Sequence, residues 1–529
     1  MMIRLIRTRR SLSLAAACTA TALILSACGG GGGSGDTANG STTAGKPVTG
    51  GSGRVLQLSE QTGLDPAMLA NEWAVNAFIG NALYGTLMVN DVTTGEIRYK
   101  MATSFATKDG GRTFELKLRK GLTFSDGTAL DATAVKYNWD RLKDPATGAF
   151  AFPEASLIAS TTVVDPITLK VTLTEAVPHY AQAVIISALN WIASPKALKA
   201  GRKAFDAKPV GAGPYTLTKW TRQDSTVLAR NPRYYAKPRP YLDTITVRTA
   251  LDGKQRLDTM TTGGADVAIE GNWQNLAKAK AAGLSTTVVP LNGGLSVTMN
   301  TRRAPFDDLR ARQAIAAGLD MKALNQTAFN GTGKTADTLF DKTSPFYEDM
   351  ALAQPDKAKA QKLFDELAAD GKRVTFTFKT FPSSDNRVVA ESVQTQLSQF
   401  KNVKVNIKVI DYADNAALRT KHDFDMIVSS ALFADPEVRM LDTFKSGSGR
   451  NMSGIADKKL SDALLKGRTS SDETERKAAY RTVQDRLAAL VPMVFYTRAA
   501  PAVITGKNVH GVVEYGGGSL LPEELWIKR

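Results

Sequence analysis

Few residues in this chain could carry covalent chemistry. Its 529 positions include two cysteines and three histidines. Cys18 and Cys28 both lie near the N-terminus, so the body offers no thiol nucleophile and no disulfide framework. His179, His422 and His510 stand far apart, and none has another His or a Cys at ligand spacing, so zinc and haem motifs are absent and neither metal nor cofactor is expected. Gly331-Thr332-Gly333-Lys334-Thr335 ends like a phosphate loop, but the glycine required five positions before Gly333 is Ala328, so a surface loop is expected. Gly211-Ala212-Gly213-Pro214 fails as a dinucleotide fingerprint, because Pro214 has no N–H for a phosphate and a strand follows. No Gly-x-Ser-x-Gly elbow occurs in the body, and no carboxylate pair has a distinctive context, so nothing positive argues for an enzyme.

The N-terminus bears on location. Met1 to Arg10 is basic, Ser11 to Leu25 is moderately apolar and too short to span a bilayer comfortably, and Leu25-Ser26-Ala27-Cys28 follows. This resembles a bacterial lipoprotein signal, which implies a signal peptide over residues 1–27 and lipid on Cys28. Residues 28–53 are Gly/Ser/Thr-rich, with no periodicity, and are expected to form a flexible tether. The formal charge of +16 includes Arg4, Arg7, Arg9 and Arg10, which a cut before Cys28 would remove. The other basic residues are scattered among acids without interleaved aromatics, so no nucleic-acid partner is expected.

The body, 43% apolar over the whole chain, is long enough for about three lobes. Arg54 to Leu58 reads as a first strand, followed by a helical segment through Trp73, Val75, Phe78, Ile79 and Leu83. Phe114, Leu116 and Leu118 alternate, and Asp131 is placed to cap a helix carrying Val135, Trp139 and Leu142. Pro355 opens a helix that Gly371 stops. Val374, Phe376 and Phe378 then alternate, as do Val403, Val405, Ile407 and Val409 beyond a helix carrying Val389, Val393 and Leu397. Strand, helix and strand in this order predict an α/β lobe with a largely parallel sheet.

Three blocks then carry a resemblance. Asn81 to Leu87 with Phe114 to Gly127, Pro209 to Tyr215 with Arg230-Asn231-Pro232, and Met299-Asn300-Thr301 through Arg312-Gln313-Ala314-Ile315 resemble, in order, bacterial extracellular solute-binding proteins of family 5, the oligopeptide, dipeptide and nickel binders. The resemblance implies an α/β fold of the periplasmic-binding-protein type II clamp: two α/β lobes with a ligand cleft, plus an inserted α+β domain. The implied division is lobe I in 54–88, 189–298 and 491–529, the inserted domain in 89–188, and lobe III in 299–490. It implies a monomer that takes a small-molecule or peptide ligand and hands it to ABC transporter permease subunits, held at the membrane through the anchor at Cys28. A ligand sensor for a membrane signalling protein, without transport, is the alternative.

The same resemblance places Gln61, Trp73, Glu270, Trp273, Phe433, Asp435 and Asn451 near the cleft. Aromatics there would cover apolar ligand surface and the acids would fix a cation. Trp139 and Trp220 are expected to pack, and Tyr215 to belong to the fold signature. In peptide-binding members an aspartate four residues before the proline of the Asp/Glu-Pro motif pairs with the peptide amine. Here that motif is Asp435-Pro436, and the position is Leu432.

Overall fold

The computed structural model describes residues 45–411 and 414–528. Cys28, the expected signal peptide and most of the expected tether lie outside the described residues. The end of that tether is built into the fold: Ser52–Gln57 is a strand, and the Gly50 and Gly51 amides donate to Tyr241 O and Asp243 Oδ2 at 2.8 and 2.9 Å. Ser52 to Thr244 opens a parallel register, and Val55 and the residues after it enter the core, so pairing, not composition, decides where the coil stops.

Three sheets organise the described residues. A seven-stranded sheet has the order Ser285–Val288, Ala502–Thr505, Val267–Glu270, Ser52–Gln57, Thr244–Thr249, Ser225–Arg230, Tyr215–Thr221. A four-stranded antiparallel sheet runs Ala102–Thr107, Thr113–Leu118, Thr168–Leu173, Ile158–Asp165. Against it lies the helix Ala132–Leu142, whose first turn is capped by the Asp131 carboxylate accepting from Ala134 N at 2.9 Å. A five-stranded sheet follows the order Val403–Val409, Val374–Thr380, Met426–Phe433, Asn292–Met299, Met493–Thr497. Val374–Thr380 and Val403–Val409 pair in parallel with helix Ser384–Leu397 between them in the chain, as the alternation predicts.

Two local expectations need correction. Trp73 is not helical: it sits in the turn before Ala77–Tyr84, where Glu72 O accepts from the Val75 amide. The helix after Pro355 is capped by Asp356, which accepts from Lys359 N, and starts at Lys357. The loop Gly211-Ala212-Gly213 serves packing: a Cβ at either glycine would overlap backbone carbonyls at the end of helix Ala77–Tyr84, at Leu83 and Ala82.

The buried side chains separate into clusters that follow the sheets. One continuous core runs from Val55 through Phe114, Trp139 and Trp191 to Leu525, fusing the seven- and four-stranded sheets into a first body, with a smaller cluster around Leu56 and Ile504. The five-stranded sheet and its helices hold their own clusters, around Phe376 and Ile315, around Phe340 and Tyr480, and around Phe424 and Ile427, and make a second body. None of these clusters contains residues of both bodies.

Within the described residues the chain crosses between the bodies at 289–291 and at 498–501. The crossings lie side by side, with Val289 N donating to Pro501 O at 2.9 Å, and antiparallel strand pairs continue on both sides of them. The second body thus takes in residues 292–298 and 491–497, which the sequence division gave to lobe I. Asn292–Met299 is nearly all buried and paired on both edges, and its Gly293-Gly294 hides it from a search for alternation.

Candidate ligand cleft

No apolar cluster bridges the bodies; away from the crossings helix Glu437–Phe444 lies against helix Tyr180–Ile185, and ion pairs and hydrogen bonds join the rest. Arg439 Nη2 stands 2.8 Å from Glu72 Oε1, Arg468 Nη1 3.1 Å from Glu175 Oε1, and Arg450 Nη1 3.9 Å from Glu154 Oε1. Asn272 Nδ2 donates to Asp385 Oδ2 at 2.8 Å, and Gln274 Nε2 to Ala328 O at 3.2 Å. Each pair has one member on each body, and in all three ion pairs the arginine belongs to the second. Helix Glu437–Phe444 carries Arg439, helix Lys458–Thr469 carries Arg468 near its C-terminus, and Arg450 lies in the loop between them. Glu72 comes from the turn before Ala77–Tyr84, Glu154 from the short helix Phe152–Ala155, and Glu175 from the loop after Thr168–Leu173.

Burial sets the protonation of this surface. Arg439 holds the Glu72 carboxyl below its usual range, so Glu72 is an anion. Desolvation raises Glu154 and Asp442 above theirs. Glu437, 1% exposed, is pushed up to about 8 by burial, although Arg468 Nε donates to its Oε1 at 3.0 Å; its Oε2 has no partner. Burial, and next the Arg476 charge, lower the neighbouring His179, whose Nε2 is also without a partner.

The seven expected site residues fall in several places. Trp73 is half-buried against Gly271, where a Cβ would overlap its ring, so Trp73 and the turn after Glu270 are neighbours. Trp273 follows closely and donates from Nε1 to Arg498 O at 2.9 Å, in the crossing segment. These three residues surround the start of the hinge. Glu270 is fully buried and saturated: Arg256 Nη2 at 2.8 Å, the Gly271 and Asn272 amides and Asn275 Nδ2 all donate to it. Gln61 lies apart, with Nε2 donating to Thr226 Oγ1 at 2.8 Å, on the wall of a 520 Å³ cavity lined also by Gln57, Thr249 and Gln255 of the first body. Phe433, 2% exposed, packs edge-on to Phe340 inside the second body. Asp435 pairs with Arg476 at 3.3 Å and accepts from Glu437 N. Asn451, 1% exposed, holds its own loop by donating to Lys445 O and Ile455 O.

Trp139 and Tyr215 are fully buried, and Trp220 is half-buried with Nε1 donating to Glu60 at 3.2 Å. The sequence reading missed Glu72, Arg439, Arg450 and Arg468. Two signals were available: Glu72 adjoins Trp73, and Arg439 with Asp442 shares one face of the helix after Asp435-Pro436. No group of three or more His, Cys, Asp or Glu able to hold a metal occurs among the described residues, and none of their helices is long and apolar enough to cross a membrane.

Two separately cored bodies joined by a paired crossing have the build of a two-jawed clamp. The family model described as bacterial extracellular solute-binding proteins, family 5, middle, matches residues 96–451, and the chain belongs to that family. It is a solute-binding protein of the periplasmic-binding-protein type II fold, not an enzyme. The glutathione-binding protein GsiB of Salmonella paratyphi A is 29% identical over 61% of this chain and 63% of its own length. The chain is also similar in fold to the binding protein AgaA of A. tumefaciens R10, solved with agropinic acid, at 24% identity and TM-score 0.78, covering 90% of this chain and 99% of that one. The oligopeptide-binding protein AppA of Bacillus subtilis, solved with a nonapeptide, gives 20% identity and TM-score 0.78, covering 92% of this chain and 100% of that one.

Proposed function

We propose that this protein captures a small organic solute outside the cytoplasm and delivers it to the permease of an ABC importer, working as a monomer tethered by lipid on Cys28. The observation that carries the reading is the contrast between the bodies' interiors and their meeting surface: each has its own apolar core and no apolar cluster spans both, while one helix contact, ion pairs and side-chain hydrogen bonds join them. A surface of that kind opens into water at modest cost, since each ion pair exchanges its partner for solvent, whereas separating a shared apolar core would cost about 25 cal/mol per Å². A ligand that binds the closed jaws better shifts the population by that preference.

Glutathione and short peptides are the first solutes to try, on the strength of the similar GsiB and AppA. Leu432 bears on peptides: it is half-buried, opposite Gly293 in the strand pair, and cannot neutralise an amine. A peptide held here needs another carboxylate. The test is thermal shift and calorimetry of residues 29–529 with glutathione, di- and tripeptides, opines and sugars. A ligand at a hundred times its Kd should stabilise by about 2.7 kcal/mol. No response to any of them, together with normal solute uptake in a deletion strain, would refute transport capture. For the anchor, Cys28→Ala should move the protein from the detergent phase to the aqueous phase.

A further inference from the structure

The cavity beside Gln61 measures 520 Å³, inside the range of about 300–1,000 Å³ typical of small-molecule sites, and every described residue lining it belongs to the first body. Its floor is buried and ordered. Gln57, Gln61 and Thr226 are 3%, 2% and 3% exposed; Gln57 Nε2 donates to Gln61 Oε1 at 3.1 Å, and Gln61 Nε2 donates in turn to Thr226 Oγ1. The remaining polar atom of Gln57, Oε1, is buried and accepts no hydrogen bond, an uncommon and costly condition for an amide. The rim carries charge of one sign, from half-buried Glu60 and exposed Asp224 and Asp252. The donors these acids accept from are neutral: Trp220 Nε1 and Gln223 N on Glu60, the Ser225 hydroxyl on Asp224 Oδ2 at 2.8 Å, and Gln255 N on Asp252 Oδ1 at 2.8 Å. Asp224 Oδ1 and Asp252 Oδ2 accept nothing among the described residues, and none of those lining the cavity is a lysine or arginine. Basic residues next to these segments are engaged elsewhere: Arg222 lies over the Trp220 ring and donates to Thr62 O at 3.3 Å, and Lys254 pairs with Asp258 at 2.6 Å. Val247, Ala250 and Leu251 complete the wall, Leu251 at 79% exposure.

We propose that this cavity is a second binding site, separate from the meeting surface of the bodies, and that it takes a small aliphatic diamine or polyamine. An ammonium brings three donors and no acceptor, which matches a wall of unpaired carboxylates and an amide oxygen without a donor. One ammonium seats at the floor, where the soft terminal torsion of Gln57 lets the amide turn its oxygen toward it, and another meets the rim acids. The methylenes between them cover Val247, Ala250 and Leu251, removing apolar surface from water. A single metal ion does not fit, because the three carboxylates form no group able to hold one. An anion would meet like charge, and a neutral diol would leave the acids unpaired. No described residue of the second body lines the cavity, so the inference stands apart from the capture reading.

The experiment titrates spermidine, putrescine and 1,4-butanediol into residues 29–529 by calorimetry at low salt, using wild type, Asp224→Asn, Asp252→Asn and the double variant. Asparagine keeps an acceptor for the Ser225 hydroxyl and the cap on Gln255 N, and circular dichroism confirms that each variant is folded. The expected result is binding that ranks spermidine above putrescine, with none for the diol, and that weakens as salt is raised. Each single variant should weaken spermidine about twofold to fivefold, the range of an exposed ion pair, and the double variant about fourfold or more. Hydrogen exchange with spermidine should add protection at 57–61, 223–226 and 249–255. No spermidine binding to wild type, an affinity within about twofold of wild type in the double variant, or diol binding as tight as that of putrescine overturns the inference. So does protection centred on 437–444, which would put the polyamine between the bodies.

Discussion

The acids of this protein show why residue type alone does not define a site. Glu270 and Glu72 are both glutamates of the first body, each paired with an arginine. Glu270 is locked by Arg256, two amides and Asn275, while Glu72 is 43% exposed and pairs with an arginine from the other body. The sequence offered Glu270 and passed over Glu72, because partner count and exposure are tertiary properties. Trp73, expected near the cleft and in a helix, stands instead in the turn before Ala77–Tyr84, against Gly271.

Glu514 gives a prediction at this scale. Burial pushes its carboxyl up to about 7 despite the Thr287 hydroxyl, which donates to Oε2 at 2.9 Å, and Oε1 has no partner. The folded state therefore holds the proton more tightly than the unfolded chain, where a glutamate titrates near 4.3. Its stabilising contribution is complete below that pH and is lost as pH rises through about 7. Glu514→Gln keeps the acceptor for Thr287 and cannot ionise. It should exceed wild type in stability by about 1–3 kcal/mol at pH 8, with the gap closing by pH 4, in urea titrations at both pH values.

At the scale of elements, legibility followed solvent. Val403–Val409 and Thr113–Leu118 show one face outward and announced themselves by alternation, and Asp131 announced its helix by side-chain chemistry. Asn292–Met299 shows no such face, and its two glycines resemble a turn. Gly293 is needed where it stands: its φ is +71°, and an added Cβ would overlap Ala431 O on the neighbouring strand. Gly293→Ala should cost the second body at least about 1–3 kcal/mol, through left-handed strain plus that overlap. Hydrogen exchange should register the loss at 426–433 before it reaches 52–57.

For the whole molecule, three ion pairs lie between the bodies beside the contact of helices Tyr180–Ile185 and Glu437–Phe444. Arg450 and Arg468 reach from the second body to Glu154 and Glu175 of the first. Replacing both with glutamine should shift the unliganded protein toward the open form, seen as a larger radius of gyration by small-angle scattering. Raising salt from 20 to 300 mM should move wild type in the same direction, because screening weakens the accessible pairs more than the sealed ones. An unchanged radius in both experiments would mean that packing at the crossings, not charge, sets the resting state.

The paired crossing also governs the kind of movement available. Two neighbouring strands tied by Val289 N to Pro501 O bend easily across their width and resist twisting or sliding. A hinge built on these crossings predicts a swing about one axis, so a single distance measured across the mouth should report the motion. Since the body beyond Cys28 has no native thiol, two engineered cysteines would place spectroscopic labels on the opposing rims with nothing else to react.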